Sequence, residues 1–229
     1  MIGIIGAMAI EVENLVSLMT HTEKKKIGSV KYVKGLLDGK EVVIAVCGIG
    51  KVAAAICAQT MIMEYAPECI VNTGVAGSLS TELGICDMVV AESLVQHDMD
   101  TTPLGDPPGL ISGLGIVNIP TDGNVAAALV KAANEAGGRV KRGVIASGDR
   151  FVVDPADKKF IVDTFGASAC EMEGAAIAQA CYSAGVPFCV VRSISDSADG
   201  SAHMDYSEFL PVAAATSAAT MRNFVSIFA

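Results

Sequence analysis

Short apolar runs alternate along this chain with segments of helical period, and no other feature limits its fold so strongly. Ile2–Ile5 reads as a buried strand ended by Gly6, ahead of a helix with Met8, Val12, Leu15, Val16 and Met19 on one face. Tyr32–Leu37 and Glu41–Val46 flank Asp38-Gly39, a favoured two-residue hairpin turn, so an antiparallel element follows. Cys47–Lys51 then leads into a helix over Val52–Tyr65, which stops before Pro67 because the residue preceding a proline avoids helical geometry. Ile70–Asn72 is the next short strand, and its exit, Thr73–Ser78 (T-G-V-A-G-S), reads as a glycine-rich turn that lets backbone approach a ligand. The pattern continues with a strand over Cys86–Val95, a helix over Asp122–Ala136, a strand over Val144–Ser147 and a helix over Pro155–Phe165 opened by its proline. A short strand at Ser168–Cys170, a helix from near Glu171 to Gly185, a strand from Val186 and a closing helix from near Tyr206 to Phe228 complete it. With no linker between units, the expectation is one α/β domain over residues 1–229, a three-layer sandwich with a mixed central sheet.

A chain of 229 residues can bury a sizeable core without disulfide or metal staples. Its net charge of -9, with no basic run longer than Lys24–Lys26, argues against nucleic acid or an anionic membrane surface as the partner, and that triplet reads as a solvated loop. Seven cysteines stand singly, without a C-x-x-C pair, which fits a reduced cytoplasmic protein with its thiols in the core. His21, His97 and His203 lie far apart and make no zinc-type pair, so no metal is expected. The amino terminus lacks a positive region and soon reaches Glu11 and Glu13, so it reads as a strand rather than a signal peptide. No apolar run is long enough to span a bilayer.

Chemistry concentrates where strands end. In Gly185–Asp199 (G-V-P-F-C-V-V-R-S-I-S-D-S-A-D) an apolar strand runs into Arg192, Ser193, Ser195, Asp196 and Asp199, at the strand end where ligands bind in open α/β sheets. Two readings stand side by side: a structural ion pair between Arg192 and Asp196, or a site. Glu11 and Glu173 lie at similar junctions. Each also has a plain reading, Glu11 as complement to the positive end of its helix and Glu173 as a first-turn acid like Glu171. The joint placement of three acids is what points to function. Gly3–Met8 (G-I-I-G-A-M) lacks both the G-x-G-x-x-G of dinucleotide folds and the G-K-[S/T] of a P-loop.

Six ordered motifs resemble the nucleoside phosphorylase/nucleosidase superfamily, and within it the bacterial 5'-methylthioadenosine/S-adenosylhomocysteine nucleosidases. They are G-I-I-G-A-M-x-x-E-V (Gly3–Val12), G-I-G-K-V-A-A-A (Gly48–Ala55), N-T-G-x-A-G (Asn72–Gly77), S-G-D-x-F (Ser147–Phe151), E-M-E (Glu171–Glu173) and R-x-I-S-D (Arg192–Asp196). The resemblance implies hydrolysis of an N-ribosidic bond in methylthioadenosine and adenosylhomocysteine, with 5'-deoxyadenosine and 6-amino-6-deoxyfutalosine as further candidates, without cofactor or metal. It implies Asp196 as the acid that protonates adenine N7, a role that needs a raised pKa or a shared proton because an ordinary aspartate is ionised at neutral pH. Glu11 is then the base on the attacking water, Arg192 positions that water or the 2'-hydroxyl, and Glu173 accepts the ribose hydroxyls. Ser195 orients Asp196, Met172 packs on the sugar, Phe151 faces adenine, the Val152 backbone reads the base edge, and Gly77 passes close to the ligand. A carboxylate at Glu11, with no Arg or Lys between Met1 and Thr20, favours water over phosphate as nucleophile.

Departures from the family pattern cluster beside the proposed site. Val75 replaces a common Ser, Ala9-Ile10 replace a Glu-Glu pair, and His97–Gly109 differs in the region that closes over the 5'-substituent. The resemblance implies that the loop 97–115 reaches into a partner's pocket in a homodimer, where Leu104, Pro107 and Pro108 line an apolar slot with Met8 and Ile49. The plain alternative is a structural Ω-loop with Asp98 and Asp100 solvated. A purine nucleoside phosphorylase and a non-catalytic nucleoside-binding sensor on the same fold are the competing functions.

Overall fold

The computed structural model describes residues 1–196 and 202–228, with side chains of the second segment from Phe209 onward. Asp199 and the side chain of His203 lie outside the described residues. The order is β1 (Ile2–Gly6), α1 (Ala9–Leu18), β2 (Thr20–Ile27), β3 (Val30–Leu37), β4 (Lys40–Val46), α2 (Lys51–Tyr65), β5 (Cys69–Ser78) and β6 (Met88–Gln96). It continues with β7 (Ile119–Pro120), α3 (Gly123–Glu135), β8 (Val140–Ser147), α4 (Pro155–Phe165), β9 (Ala167–Glu171), α5 (Gly174–Ala184), β10 (Phe188–Asp196) and α6 (Ala202–Phe228). Local chemistry sets several ends: Asp122 caps α3 by accepting the Asn124 and Val125 N–H groups, and Asp154 caps α4 through Ala156. Gly166 and Gly185 close α4 and α5 with φ of +63° and +68°, a conformation that favours glycine.

The strands form one mixed sheet in the order β10-β6-β8-β9-β5-β1-β4-β3-β2, with β7 beside β6. Because β10 also pairs with β5, the strands β5, β9, β8, β6 and β10 close on themselves, and the other four extend as an open wing. Alternate residues of the central strands feed two cores. Ile5, Val43 and Ala45 face a cluster with Ala54, Cys57 and Met61 of α2 and Ile177 and Cys181 of α5. Ile2, Ile4, Val42 and Ile44 face the other side, with Val12 and Leu15 of α1, Leu129 of α3, and Met221 and Phe224 of α6. Helices therefore cover both faces, and the expected layered α/β architecture holds.

Two local expectations are corrected. Lys24–Lys26 is not a loop but part of β2, the edge strand of the wing, paired with β3 through Lys24 opposite Val33 and Lys26 opposite Lys31. Its charges mask the apolar alternation that marks inner strands, and lysine is the residue that keeps an exposed edge from pairing with another chain. Thr73–Ser78 is not a turn either, because β5 runs unbroken through it and pairs with β10 from Ile70 to Gly77. The glycines there make room for side chains rather than for a reversal.

Candidate active site

The carboxyl ends of β1, β4, β5, β8, β9 and β10, and the residues just beyond them, surround one cavity of about 330 Å³. This is where an α/β sheet presents ligands. Ten of the eleven residues expected at the site line it: Met8 and Glu11 after β1, Ile49 after β4, Gly77 on β5, Phe151 and Val152 after β8, Met172 and Glu173 after β9, and Ser195 and Asp196 on β10. Arg192 does not.

Glu11 enters from the first turn of α1 and is 3% exposed. One carboxylate oxygen accepts the Ala7 and Met8 N–H groups at 2.7 and 2.9 Å, and the other accepts Val75 N–H of β5 at 3.2 Å. The plain reading of Glu11 as a helix-end acid is therefore right, yet the same carboxylate bridges two strand ends and lines the cavity. Gly74 makes this possible: a Cβ there would lie 2.9 Å from Glu11 Cδ.

Asp196 and Ser195 are consecutive, and a regular strand would send them to opposite faces. A register shift between Ile194 and Asp196 in the pairing with β5 turns both toward the cavity. Ser195 Oγ donates to Asp196 Oδ1 at 3.0 Å, which suits the orienting role expected of it. Gly77 stands opposite, where a Cβ would lie 2.8 Å from Asp196 Oδ2.

The third acid sits in a cluster of mixed charge. Glu173 is 6% exposed, accepts Gly50 N–H at 2.9 Å, and lies 3.8 Å from Arg192 Nη2. Burial, followed by the neighbouring Glu171 carboxylate, pushes its pKa up to about 7. Arg192 is buried behind this wall, where Nη2 pairs with Glu171 and with Asn72 Oδ1. The plain reading of an Arg192–Asp196 ion pair is corrected accordingly: among the described residues Arg192 pairs with Glu171 and, at 3.8 Å, Glu173, and the guanidinium touches the cavity only through the carboxylates it holds. Glu171 was expected to be a first-turn helix acid like Glu173. It belongs instead to β9, where it accepts the Ser147 hydroxyl and also the N–H groups of Glu173 and Gly174 that open α5.

Sequence reasoning missed Arg150, Lys158 and Cys170, all in the cavity wall. Lys158 is only 7% exposed, an unusual burial for lysine, but α4 reads as an ordinary surface helix and nothing local signals it. The loop 97–115 holds a single short helical turn at Thr102–Leu104. Its Asp98 is not merely solvated: it pairs with Lys51 Nζ at 2.6 Å and accepts Asp149 N–H at 2.9 Å, tying the loop to the start of α2. Leu104, Pro107 and Pro108 do not line the cavity of their own chain. Among the described residues no group of His, Cys, Asp and Glu is arranged to hold a metal ion.

The family model described as the phosphorylase superfamily matches residues 1–226. A 5'-methylthioadenosine/S-adenosylhomocysteine nucleosidase of Shewanella oneidensis is 41% identical over 91% of this chain and 89% of its own. An aminodeoxyfutalosine nucleosidase of Helicobacter pylori is 43% identical over 98% and 97%. Among solved structures, a mutant Helicobacter pylori methylthioadenosine/adenosylhomocysteine nucleosidase with 5'-methylthioadenosine in its active site superposes with a TM-score of 0.93 at 42% identity, covering 98% of this chain and 97% of that one. With fold, cavity and near full-length similarity in agreement, the chain belongs to the phosphorylase superfamily.

Proposed function

We propose that this protein hydrolyses the N-ribosidic bond of methylthioadenosine and adenosylhomocysteine, and also of 5'-deoxyadenosine, releasing adenine and the 5'-substituted ribose. The observation that carries this reading is Glu11. Three backbone N–H groups converge beside the cavity, an arrangement that would otherwise suit a phosphate, and its carboxylate occupies all of them. A second anion is repelled there, whereas a water molecule finds an acceptor for its proton.

In the proposed reaction Asp196, steadied by Ser195, gives a proton to N7 as the bond from N9 to the anomeric carbon breaks and its electron pair passes into the purine. Glu173 accepts the ribose 2'- and 3'-hydroxyls and stabilises the positive charge that develops on the sugar. Water then attacks the anomeric carbon and yields its proton to Glu11. Phe151 and the Val152 backbone face the base, Met172 packs on the sugar, and Gly77 allows the ligand close to β5. Arg192 acts from behind, through the carboxylates, rather than by touching water or the 2'-hydroxyl.

The same reading places the protein in the cytoplasm, in methionine salvage, as a homodimer. Its seven free cysteines suit a reducing compartment, and no helix among the described residues is long and apolar enough to cross a membrane. Val52, Ile56 and Met63 form an exposed apolar stripe on α2, and Leu104 stands 82% exposed, suited to entering a partner's pocket. A wider range of 5'-substituents is a second reading, favoured by Ile49, a cavity-wall residue that stays 61% exposed. The Helicobacter relative named for aminodeoxyfutalosine is as similar as those named for methylthioadenosine.

The test is to incubate the protein with methylthioadenosine in phosphate-free buffer. Adenine and free methylthioribose are expected. Release that strictly requires phosphate would instead identify a phosphorylase, and tight binding without turnover a sensor.

A further inference from the structure

Glu171 has no part in the reaction just proposed, yet it is one of the most heavily engaged side chains in the molecule. One carboxylate oxygen takes Arg192 Nη2, the other takes the Ser147 hydroxyl, and together they accept the N–H groups of Glu173 and Gly174 at 2.8 to 3.0 Å. Ser147 Oγ in turn accepts Ala175 N–H at 2.7 Å. A Cβ at Gly174 would lie 3.1 Å from Glu171 Oε1, so glycine at that position admits the carboxylate to the start of α5. None of these partners is the ligand.

Among the described residues, ionisable and polar groups face Glu173 from several elements. From β10 comes the Arg192 guanidinium, from β9 the Glu171 carboxylate, from α1 the Glu11 carboxylate, from the segment after β4 the Cys47 thiol, and from the start of α2 only the Gly50 N–H. Three buried carboxylates thus share one buried guanidinium. The guanidinium is in contact with Glu171, while Glu173 lies at 3.8 Å. Glu171 also accepts the Ser147 hydroxyl and two backbone N–H groups, whereas among the described residues the hydrogen bond to Glu173 comes from Gly50 N–H.

We propose that Glu171 is a positioning residue for the sugar-binding acid: by claiming Arg192 and the first N–H groups of α5, it leaves Glu173 as the member of the cluster that holds a proton in the empty site and releases it when ribose hydroxyls dock. This rests on the reading that Glu173 binds ribose. Docking two hydroxyl donors favours the carboxylate over the neutral acid. Sugar recognition is thereby coupled to loss of one proton, and Glu171 sets the pH at which that coupling operates. The elevated affinity of Glu173 for its proton agrees with the geometry.

The test uses the full-length protein labelled with carboxyl 13C-glutamate. The Glu173 resonance, assigned by its loss in Glu173→Gln, is titrated without ligand in wild type and in Glu171→Gln. The midpoint is expected to fall by about one unit or more in Glu171→Gln, because Arg192 then has Glu173 as its nearest anion. Ser147→Ala, which weakens the hold on Glu171 without removing its charge, should shift the midpoint the same way by less, and it serves if Glu171→Gln does not fold. An unmoved midpoint in a folded variant overturns the proposal. A second measurement separates this outcome from failure of the functional reading. The affinity of the uncleavable nucleoside 5'-methylthio-9-deazaadenosine is divided by that of its base, 9-deazaadenine, across pH. The ratio should rise as pH passes the Glu173 midpoint, and this rise should move with the midpoint in the variants. If the resonance shifts in Glu171→Gln but the ratio is flat with pH and unchanged in Glu173→Gln, the ribose-binding reading of Glu173 fails, and with it the coupling to sugar.

Discussion

Replacing Glu173 by Gln should stabilise the empty protein at alkaline pH while weakening its hold on the sugar. In the unfolded chain this carboxyl releases its proton near its ordinary pKa of 4.5, whereas in the folded empty site it keeps it to about 7. Between those values the native state binds more protons than the unfolded state, so stability falls as pH rises through the window and levels off above it. At about 1.4 kcal/mol per unit, the penalty in wild type between pH 5 and pH 8 is about 2 to 3 kcal/mol. Glutamine has no such titration and retains an oxygen able to accept Gly50 N–H, at a roughly constant cost of about 1 kcal/mol for its unmatched amide donors. The assay is urea unfolding of ligand-free wild type and variant at both pH values and one fixed protein concentration. The stability difference between variant and wild type should move by about 2 to 3 kcal/mol in favour of the variant from pH 5 to pH 8. A difference that stays constant, or moves against the variant, would refute the view that burial and Glu171 hold a proton on Glu173.

Three further outcomes follow from the geometry. Gly74→Ala should mimic loss of Glu11, because the new methyl group takes the space of its carboxylate; turnover should fall about 100-fold or more, with a stability cost of about 1 to 3 kcal/mol, and near-normal kcat would dismiss this role for the glycine. Asp196→Asn should lose most turnover yet keep its fold by circular dichroism and some nucleoside binding by calorimetry, and a variant with almost full activity would remove Asp196 from the acid role. Lys24→Val with Lys26→Val should leave kcat unchanged but cause concentration-dependent association by light scattering, because β2 is the exposed edge of the sheet; a variant that scatters like wild type would show that the lysines do not guard it.

Where the fold was legible, the signal was local. The Asp38-Gly39 turn, the proline that opens α4 and Pro67, before which α2 stops, each act on a few neighbouring residues, and β3–β4, α4 and α2 appear where they were read. Where the reading went astray, a longer-range partner decided. Lys24–Lys26 became a strand because β3 offers it an edge, and Thr73–Ser78 stayed extended because β10 pairs along it. Lys158 and Arg150 reach the cavity only because α4 and the segment before it fold back over the strand ends. The two-residue β7 is too short to carry any periodicity.

Three acids at strand ends were visible in the sequence because a strand followed at once by polar residues is a local pattern, and one that an α/β architecture directs to a single edge of its sheet. Tertiary structure alone decided what each acid does there. Glu171 and Glu173 are two residues apart in one motif and both reach the cavity wall, yet Glu171 is locked to Arg192 while Glu173 stands 3.8 Å from it, because the chain leaves β9 between them and turns into α5. Asp196 faces the cavity beside Ser195 only because of a register shift against β5, and Glu11 can cap its helix and line the site together only because Gly74 yields the space. Composition and period select the elements, whereas register, close approach and shared charge, which exist only once distant strands have met, select the chemistry.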